Sequence, residues 1–507
     1  MTDSNIKPRF LLYNKIKNSK AVDFINKLIV SPIGVAIIGA VCLITHVLAL
    51  EFLLYVFVGL LTVFVCLFSP DLLGIMPAFI FCYISPAKKN NPGISENSMF
   101  YGATGVLIAV VASVSIIAFV LRVALDKNIG FKKFFTYKRK LLSGMLFLGA
   151  AYLLCGIGSK NYGDVFANNL VFASLQFLSI FLLYFIFSAT VDWKKVKKDY
   201  FAWLMVIMGL VVCAQVAYIY LTSNVIQNGT IVRSRILTGW GIYNNIGALI
   251  SMSIPFAFYL ACKKNYSYIY LALATFLLIG LVCSCSRGSI VGGVFIYVFS
   301  FIVTFIKAKN KKEFRISTAV LIGLALILGI IFSSVIAELF KKVPSIIKQT
   351  SDNSLAFNDS SRFKIYEQGF YAFLQYPFLG QSFYPTGYVP FGYSTVEAFS
   401  SFFPPRWHNT IIQILSSCGI VGMLAYGFHR FQTIKLIFKK PTLEKSFIGL
   451  SILCLLLMSL LDCHFFNIGP TLIYSMALAY AENINAHDQE ILDNSKEKSE
   501  VIAANQN

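Results

Sequence analysis

The chain has 507 residues, of which 57% are hydrophobic and only 13% are charged. Because soluble domains carry about 25% charged residues, this composition excludes a soluble globular protein. Apolar runs recur along the whole sequence, and each has the roughly 17 or more residues that a helix needs to cross a bilayer. The sequence therefore predicts an all-α, polytopic helical membrane protein.

The net charge of +20 would suggest a nucleic-acid partner if the protein were soluble. In a membrane protein the same excess follows from the Lys and Arg residues that cytoplasmic loops collect. We therefore expect membrane lipids, and no nucleic acid, as partners of this surface.

Fourteen candidate spans follow a basic amino-terminal segment, residues 1–27. Eleven of them fall within residues 28–337 and three within residues 409–482. The third and the last are the weakest, so we expect about 12 to 14 transmembrane helices. In chain order the candidates are residues 28–47, 50–68, 72–87, 100–121, 141–158, 168–190, 200–222, 237–262, 266–284, 288–306, 316–337, 409–428, 446–462 and 467–482.

The distribution of Lys and Arg sets the predicted orientation. If the amino terminus is cytoplasmic and the spans alternate, most of the 43 cationic residues fall on the cytoplasmic side, as the positive-inside rule requires. The carboxyl-terminal tail, residues 483–507, is then also cytoplasmic, and its polar composition predicts disorder. The cytoplasmic segments are residues 1–27, 122–140, 191–199, 263–265, 307–315, 429–445 and the tail.

One loop is much longer than the others, and it lies on the extracytoplasmic side, at residues 338–408. Between Phe363 and Trp407 it carries sixteen aromatic residues, which would suit either an interfacial belt or stacking surfaces for a sugar chain. Within it, residues 360–380 have the apolar spacing of an amphipathic surface helix that Pro377 ends. Long loops in compact proteins are usually functional or disordered, and this composition indicates function.

Five arginines fall on the extracytoplasmic side, where the rule used above makes cations sparse. Each alone could be an interfacial anchor. Guanidinium groups, however, form paired hydrogen bonds to phosphate and are always charged. Several converging arginines could therefore neutralise a pyrophosphate without a metal ion. The five are Arg233, Arg235, Arg287, Arg362 and Arg406.

His408 opens the span that follows the long loop. A lone histidine at a helix start is commonly structural, but a neutral imidazole beside a phosphate site could also serve as a general base on a hydroxyl. No Asp-x-Asp or His-Glu-x-x-His motif accompanies it, so we expect no metal and no cofactor. The eleven cysteines lie in or beside apolar runs, and we interpret them as small buried hydrophobic residues.

Four stretches of this chain resemble motifs of the O-antigen ligase and polysaccharide polymerase superfamily, whose members are integral-membrane glycosyltransferases of the GT-C type. They are RILTGWGIYNNIGALISMSIP (235–255), SRGSIVGG (286–293), SRFKIYEQGFYAFLQYPFLGQSF (361–383) and HNTIIQILSSCGIVGMLAYG (408–427). Two positions depart from the family pattern: Cys418 stands where an acidic residue is usual, and Gly380-Gln381-Ser382 replaces Gly-x-Gly.

The resemblance implies a metal-independent, inverting glycosyltransferase of the bacterial cytoplasmic (inner) membrane. It would take a glycan from undecaprenyl pyrophosphate and pass it to a hydroxyl acceptor at the outer face. The implied catalytic residues are His408 and Arg287. The implied pyrophosphate ligands are Arg235, Arg287, Arg362 and Arg233, and the candidate acceptor or glycan contacts are Arg406, Trp407, Asn409, Asn245 and Tyr366.

Three functions remain open at this level. A polymerase would use a lipid-linked repeat as acceptor. A ligase would move finished glycan to a different acceptor, which could be lipid A core, another cell-wall glycan or a protein. The large aromatic loop favours the polymerase. A transporter or flippase predicts ionisable residues at mid-membrane and paired broken helices, and neither pattern is evident in the sequence. Asp462, His464 and Asn467, between the last two spans, are either part of the acceptor site or simple boundary polarity.

Overall fold

A computed structural model describes residues 11–85, 102–125, 141–193, 196–197, 199–227, 230–331, 359–384, 390 and 404–484. Several predictions fall wholly or partly outside these ranges. They concern the first ten residues of the basic amino-terminal segment, ends of the spans 72–87, 100–121 and 316–337, most of the cytoplasmic segment 122–140, much of the long loop 338–408, and the tail beyond residue 484.

Almost every described element is a helix, and each predicted span overlaps at least one helix. In chain order the helices are α1 (Leu11–Lys17), α2 (Lys20–Ile29), α3 (Pro32–Val47), α4 (Glu51–Phe68), α5 (Ile75–Ile84), α6 (Gly102–Leu125), α7 (Leu142–Leu153), α8 (Tyr162–Phe177), α9 (Leu183–Thr190), α10 (Tyr200–Thr222), α11 (Tyr243–Lys263), α12 (Ser267–Cys283), α13 (Arg287–Lys307), α14 (Lys311–Ile331), α15 (Asp359–Gln375), α16 (Thr410–Phe438), α17 (Leu443–Ser459) and α18 (Ile468–Asn483).

Two short antiparallel hairpins precede α11. The strands are β1 (Ile226–Gln227) with β2 (Thr230–Ile231), and β3 (Leu237–Thr238) with β4 (Gly241–Ile242). The eighth predicted span began at residue 237, so its first six residues form a hairpin rather than helix.

Within the described ranges, five helical stretches are long and apolar enough to cross a membrane, or six if the bent pair α2–α3 is one span. They are Tyr162–Thr190, Tyr200–Thr222, Tyr243–Lys263, Arg287–Lys307 and Thr410–Phe438. Shorter apolar helices of 10 to 17 residues accompany them. The chain is a multi-pass helical membrane protein, which confirms the predicted fold class.

Helix α11 is the central element, because its most apolar window is completely buried in the protein. It packs against α10, α12, α13 and α17. Close approach depends on small side chains: a Cβ added at Gly247 would lie 2.7 Å from Ser289 Cβ of α13. Ser251 and Ser253 on the same helix are also fully buried. Small residues are typical of helix contacts inside membranes, and this packing brings the starts of α11 and α13 together.

The bundle also buries one arginine of α6 and most of the cysteine thiols. Arg122 of α6 is buried and donates hydrogen bonds to the Ser69 and Pro70 carbonyls at 2.6 and 2.7 Å. It therefore satisfies carbonyl groups that the end of α4 leaves without helical partners. All eleven cysteines lie in the described ranges as free thiols, eight buried and three half-buried, as the sequence predicted.

Helix α16 is broken at Gly419, whose φ of 61° and ψ of −156° are not helical. The segment 377–382 fills the break: the Pro377 and Phe378 carbonyls accept hydrogen bonds from Ile420 and Val421 at 2.8 and 3.1 Å. A Cβ at Gly419 would lie only 2.4 Å from the Phe378 oxygen, so a side chain there would clash with backbone. Non-helical backbone inside a membrane protein requires such internal partners.

This arrangement corrects two boundaries. Residues 377–384 were expected in a surface loop, but Gly380 to Tyr384 are buried in the bundle, and the Phe383 amide donates to Asn169 of α8 at 3.0 Å. Helix α16 also continues to Phe438, ten residues beyond its predicted end. Polar residues such as His429 and Arg430 suggested a loop there, yet both are buried inside the helix bundle.

Candidate functional site

Four helix ends meet on one side of the bundle: the starts of α11, α13 and α16 and the end of α17. We call this region the mouth. At its centre the His408 Nδ1 atom lies 3.3 Å from Asp462 Oδ1. The histidine precedes α16 and the aspartate follows α17, so the contact joins residues 54 positions apart. A carboxylate on one ring nitrogen fixes the tautomer and the orientation of an imidazole.

The second oxygen of Asp462 is held by α11. Asn244 Nδ2 donates to Asp462 Oδ2 at 2.6 Å, and Ser286 Oγ donates to Asn244 Oδ1 at 3.1 Å. Ser286 Oγ also lies 2.8 Å from Ser289 Oγ, within the same hydrogen-bonded group. The starts of α11 and α13 are thereby connected to the aspartate that orients His408.

The backbone of His408 has a φ of +50°, in the left-handed region that non-glycine residues adopt at a cost of about 1–3 kcal/mol. Two neighbouring residues hold this segment in place. Tyr366 OH, from α15, donates to the His408 carbonyl at 3.2 Å. Asn409 caps α16 by accepting from Ile411 N at 2.8 Å, and its amide donates to Leu460 O at 2.9 Å. These contacts direct the imidazole to Asp462.

The electrostatics of Asp462 favour its ionised form. Burial alone would raise the pKa of this carboxyl group, but hydrogen bonding to His408, the proximity of His464 and the Cys463 amide (2.7 Å) lower it more strongly. The pKa of Asp462 therefore lies well below its ordinary range. A carboxylate that stays charged stabilises a neighbouring imidazolium when that imidazole takes up a proton.

His464 is the second imidazole at the mouth, and it is only 2% exposed. Burial lowers its pKa, the charge of Asp462 raises it, and Arg406 and His408 lower it again. Its Nδ1 has no hydrogen-bond partner in the described part of the chain. Arg406 is half-buried and lies within electrostatic range of His464 and Cys463.

Three of the predicted arginines lie close to one another at the mouth. Burial lowers the pKa of Arg233, the Tyr243 hydroxyl raises it, and the positive charges of Arg287 and Arg362 lower it further. Such mutual effects place the three guanidinium groups within electrostatic range of one another. Arg287 is exposed and is the first residue of α13, where the helix dipole adds partial positive charge.

The fixed orientation of these arginines comes from neutral partners. The Arg233 guanidinium stacks over the Tyr243 ring at 4.4 Å, and Arg362 donates to the Leu461 carbonyl at 3.2 Å. Neither forms an ion pair with a carboxylate in the described ranges. Their charges are therefore available to an anionic ligand.

Arg235 is placed differently from Arg233, although two residues separate them. It is exposed, and its Nη1 donates to the Ser223 and Asn224 carbonyls at 3.3 and 3.1 Å. The structure thus directs Arg235 toward the end of α10 and brings Arg233 to the other mouth arginines.

Two predicted acceptor contacts are engaged in packing. The Trp407 side chain is 2% exposed and packs with Ile365 and Ala372 of α15. Asn245 is buried and accepts from Asn467 Nδ2 at 2.6 Å, which joins α11 to α18. Tyr366, Asn409 and Arg406 lie at the mouth, next to His408 or His464.

The motifs in the sequence did not single out Asn244, which contacts Asp462 while its neighbour Asn245 does not. The signal was the pair of adjacent asparagines, since consecutive residues at a helix start point in different directions. No group of three or more His, Cys, Asp or Glu side chains with metal-binding geometry occurs in the described ranges.

Comparison with known proteins agrees with these observations. The sequence model of the family described as O-Antigen ligase matches residues 271–427, a range that includes Arg287, Arg362, Arg406 and His408. Among curated proteins, none matches this chain significantly. The matched range covers α12 to the first half of α16 and confirms the resemblance predicted from the motifs. Over this part of the chain, the match supports the resemblance to the O-antigen ligase and polymerase superfamily of membrane glycan-processing proteins.

Proposed function

We propose that this protein transfers glycan from an undecaprenyl-pyrophosphate donor to a hydroxyl acceptor at the outer face of the bacterial cytoplasmic membrane. The observation that carries this proposal is the His408–Asp462 pair at 3.3 Å, placed beside Arg233, Arg287 and Arg362. One mouth therefore combines a base with an anion-binding surface, the two elements that glycosyl transfer from a lipid pyrophosphate requires.

On the donor side, the three guanidinium groups and the amino-terminal end of α13 would bind the pyrophosphate. Negative charge accumulates on this leaving group as its bond to the sugar C1 breaks. Donors that are fixed in place before the reaction stabilise such charge without reorganisation. Arg362 is fixed by the Leu461 carbonyl and Arg233 by the Tyr243 ring, so both meet this condition.

On the acceptor side, His408 would act as general base. Its Nδ1 is directed to Asp462, and the other ring nitrogen takes the proton of the acceptor hydroxyl. The acceptor oxygen then forms a bond to C1 as the bond from C1 to the phosphate oxygen breaks, and undecaprenyl pyrophosphate leaves. A single displacement of this kind inverts the configuration at C1. Asp462 holds the imidazole in place and stabilises the imidazolium.

We further propose that the acceptor is a second lipid-linked repeat, so that the protein polymerises cell-surface polysaccharide. The large, aromatic-rich loop supports this choice, because a growing chain needs an extended contact surface. The described part of the loop includes the exposed side chains of Phe363, Phe370 and Tyr371 on α15. A ligase that moves finished glycan to another acceptor is the alternative.

The deciding experiment incubates purified protein in nanodiscs with a lipid-pyrophosphate-linked repeat unit and resolves the products on a gel. We expect a ladder from the wild type, about a thousandfold slower formation with His408→Ala, and a normal ladder with the control Lys160→Ala. A product that forms only after a different acceptor is added would make the protein a ligase. Unchanged activity of His408→Ala would refute the site, and glycan crossing a vesicle bilayer without transfer would indicate a flippase.

The same assay tests metal independence. We expect an unchanged ladder after extensive treatment with a chelator, because guanidinium groups supply the positive charge at the mouth. Loss of activity that Mg²⁺ or Mn²⁺ restores would overturn metal independence. The role of His408 would still be tested separately by His408→Ala.

A further inference from the structure

An open groove lies between α12 and α14, away from the mouth. Its volume is about 590 Å³. Ala272 of α12 and Ile316, Val320 and Leu321 of α14 form its apolar part, and Lys312 lies at one end. The apolar side chains of Ile316 and Val320 are more than half exposed, so the groove faces the bilayer rather than the protein core.

Both helices begin at the same end of the groove. The Ser267 amide at the start of α12 donates to Glu313 Oε1 at 2.6 Å, and Glu313 belongs to the first turn of α14. From Lys312 to Leu321 the groove follows nine residue steps of α14, or about 14 Å of helix. It therefore has a polar end at the helix starts and an apolar end that extends into the membrane.

Charge distinguishes the polar end. The segment 307–315 carries five cations and a single carboxylate. That carboxylate, Glu313, is already engaged: Oε1 accepts from Ser267, and Oε2 accepts from Asn310 Nδ2 at 3.0 Å. Arg315 lies over the Phe305 ring at 5.2 Å. Lys312 is exposed, lines the groove and forms no ion pair within the described residues.

We propose that this groove binds one anionic phospholipid, with the phosphodiester at Lys312 and an acyl chain along Ala272, Ile316 and Val320. An ammonium group above an apolar channel between two membrane helices matches the two parts of such a lipid, and basic pockets of this kind select anionic headgroups. The positive-inside rule predicts this end to be cytoplasmic, so the site lies opposite the mouth. The inference does not depend on the proposed glycosyl transfer.

The test is native mass spectrometry of the delipidated full-length protein, with phosphatidylglycerol and phosphatidylcholine of identical acyl chains. We expect one molecule of phosphatidylglycerol to be retained, and Lys312→Gln to lower its occupancy about fivefold, since one lysine near an anionic surface contributes a factor of this size. The matched control is Lys311→Gln, which removes an equal charge from an exposed neighbour that does not line the groove.

A second variant, Ala272→Phe, fills the groove and leaves Lys312 in place. We expect it to lose the bound lipid while its melting temperature stays at the wild-type value, because Ala272 is exposed. Equal retention of the two lipids would overturn the proposal. So would an equal loss with Lys311→Gln and Lys312→Gln, which would indicate general attraction to a basic surface, or full retention by Ala272→Phe.

Discussion

Two arginines of this protein occupy opposite situations. Arg430, inside the bundle, is surrounded by the rings of Tyr426, Phe465 and Tyr474 at 4.6, 4.1 and 4.9 Å, and it donates to the Tyr474 hydroxyl at 2.7 Å. Arg233, at the mouth, stacks on a single ring and lies near two further positive charges. One cation is enclosed by aromatic groups, and the other is grouped with like charges.

This difference separates structural from functional charge. A cation kept in a low-dielectric interior must be compensated by the protein itself, as the three rings and the hydroxyl compensate Arg430. Like charges gathered at a surface destabilise the unliganded protein, and such an arrangement is useful where an anionic ligand compensates them. Variants at the mouth should therefore change activity, and variants around Arg430 should change stability.

The largest effect is expected from Asp462→Asn. The amide cannot stabilise an imidazolium at His408, and a misplaced general base costs about a thousandfold in kcat. Turnover of the lipid-linked donor measures the effect, and thermal unfolding shows whether the fold persists. Asp164→Asn, an exposed residue in the first turn of α8, is the matched control. A variant with more than a tenth of the wild-type kcat would exclude Asp462 from the reaction.

The next largest effect is expected on stability, from Arg430→Ala. Loss of three ring contacts and a charged hydrogen bond, together with the cavity left behind, should lower the free energy of unfolding by about 3 kcal/mol. Chemical denaturation in detergent measures this value. Arg430→Lys, which keeps the cation, should recover part of it. The comparison fails if Arg430→Ala abolishes activity at an unchanged melting temperature, because the interior arginine would then be functional.

A smaller effect separates two neighbouring arginines. Arg233→Lys replaces a stacked, planar guanidinium with a single ammonium group, and we expect kcat/KM for the donor to fall about tenfold. Arg235→Lys should leave kcat/KM near the wild-type value, since Arg235 donates to loop carbonyls instead. A larger loss of kcat/KM with Arg235→Lys than with Arg233→Lys would mean that Arg235 turns toward the donor when the donor binds.

Fold class was readable from the sequence because apolar length and cation distribution are local signals. The mouth was only partly readable. Its arginines stood out as cations on a cation-poor side, but the contact of His408 with Asp462 joins residues 54 positions apart, and no periodicity encodes it. Asn244 was hidden for the same reason, since only the packing of α11 decides which of two adjacent asparagines reaches the aspartate.

The break in α16 shows a second limit of sequence reasoning. The sequence around Gly419 resembles continuous helix, yet this glycine admits the segment that begins at Pro377. Likewise, His429 and Arg430 resembled a cytoplasmic loop because their polarity was visible and their aromatic partners were not. Tyr474 lies 44 residues from Arg430, so the compensation of this charge is a tertiary property.

The smallest predicted effect concerns pH and the segment around His464, which connects the mouth to the surroundings of Arg430. His464 faces the mouth, while the next residue, Phe465, packs on Arg430. Burial lowers the pKa of His464 in the folded protein below its ordinary value near 6.5, with Asp462 raising it and Arg406 and His408 lowering it. The unfolded chain therefore binds more protons than the folded one just below pH 6.5, and stability falls as the pH is lowered through that window.

His464→Gln removes this titration, so its melting temperature should fall less than that of the wild type between pH 7 and pH 5.5. The quantity compared is the change in melting temperature with pH, wild type against variant, because the other titrating groups are the same in both proteins. His408→Gln is the control, since it removes an imidazole from the mouth without removing the buried one. If both variants reduce the pH dependence of the melting temperature equally, the effect comes from the charge of the mouth as a whole and not from the burial of His464.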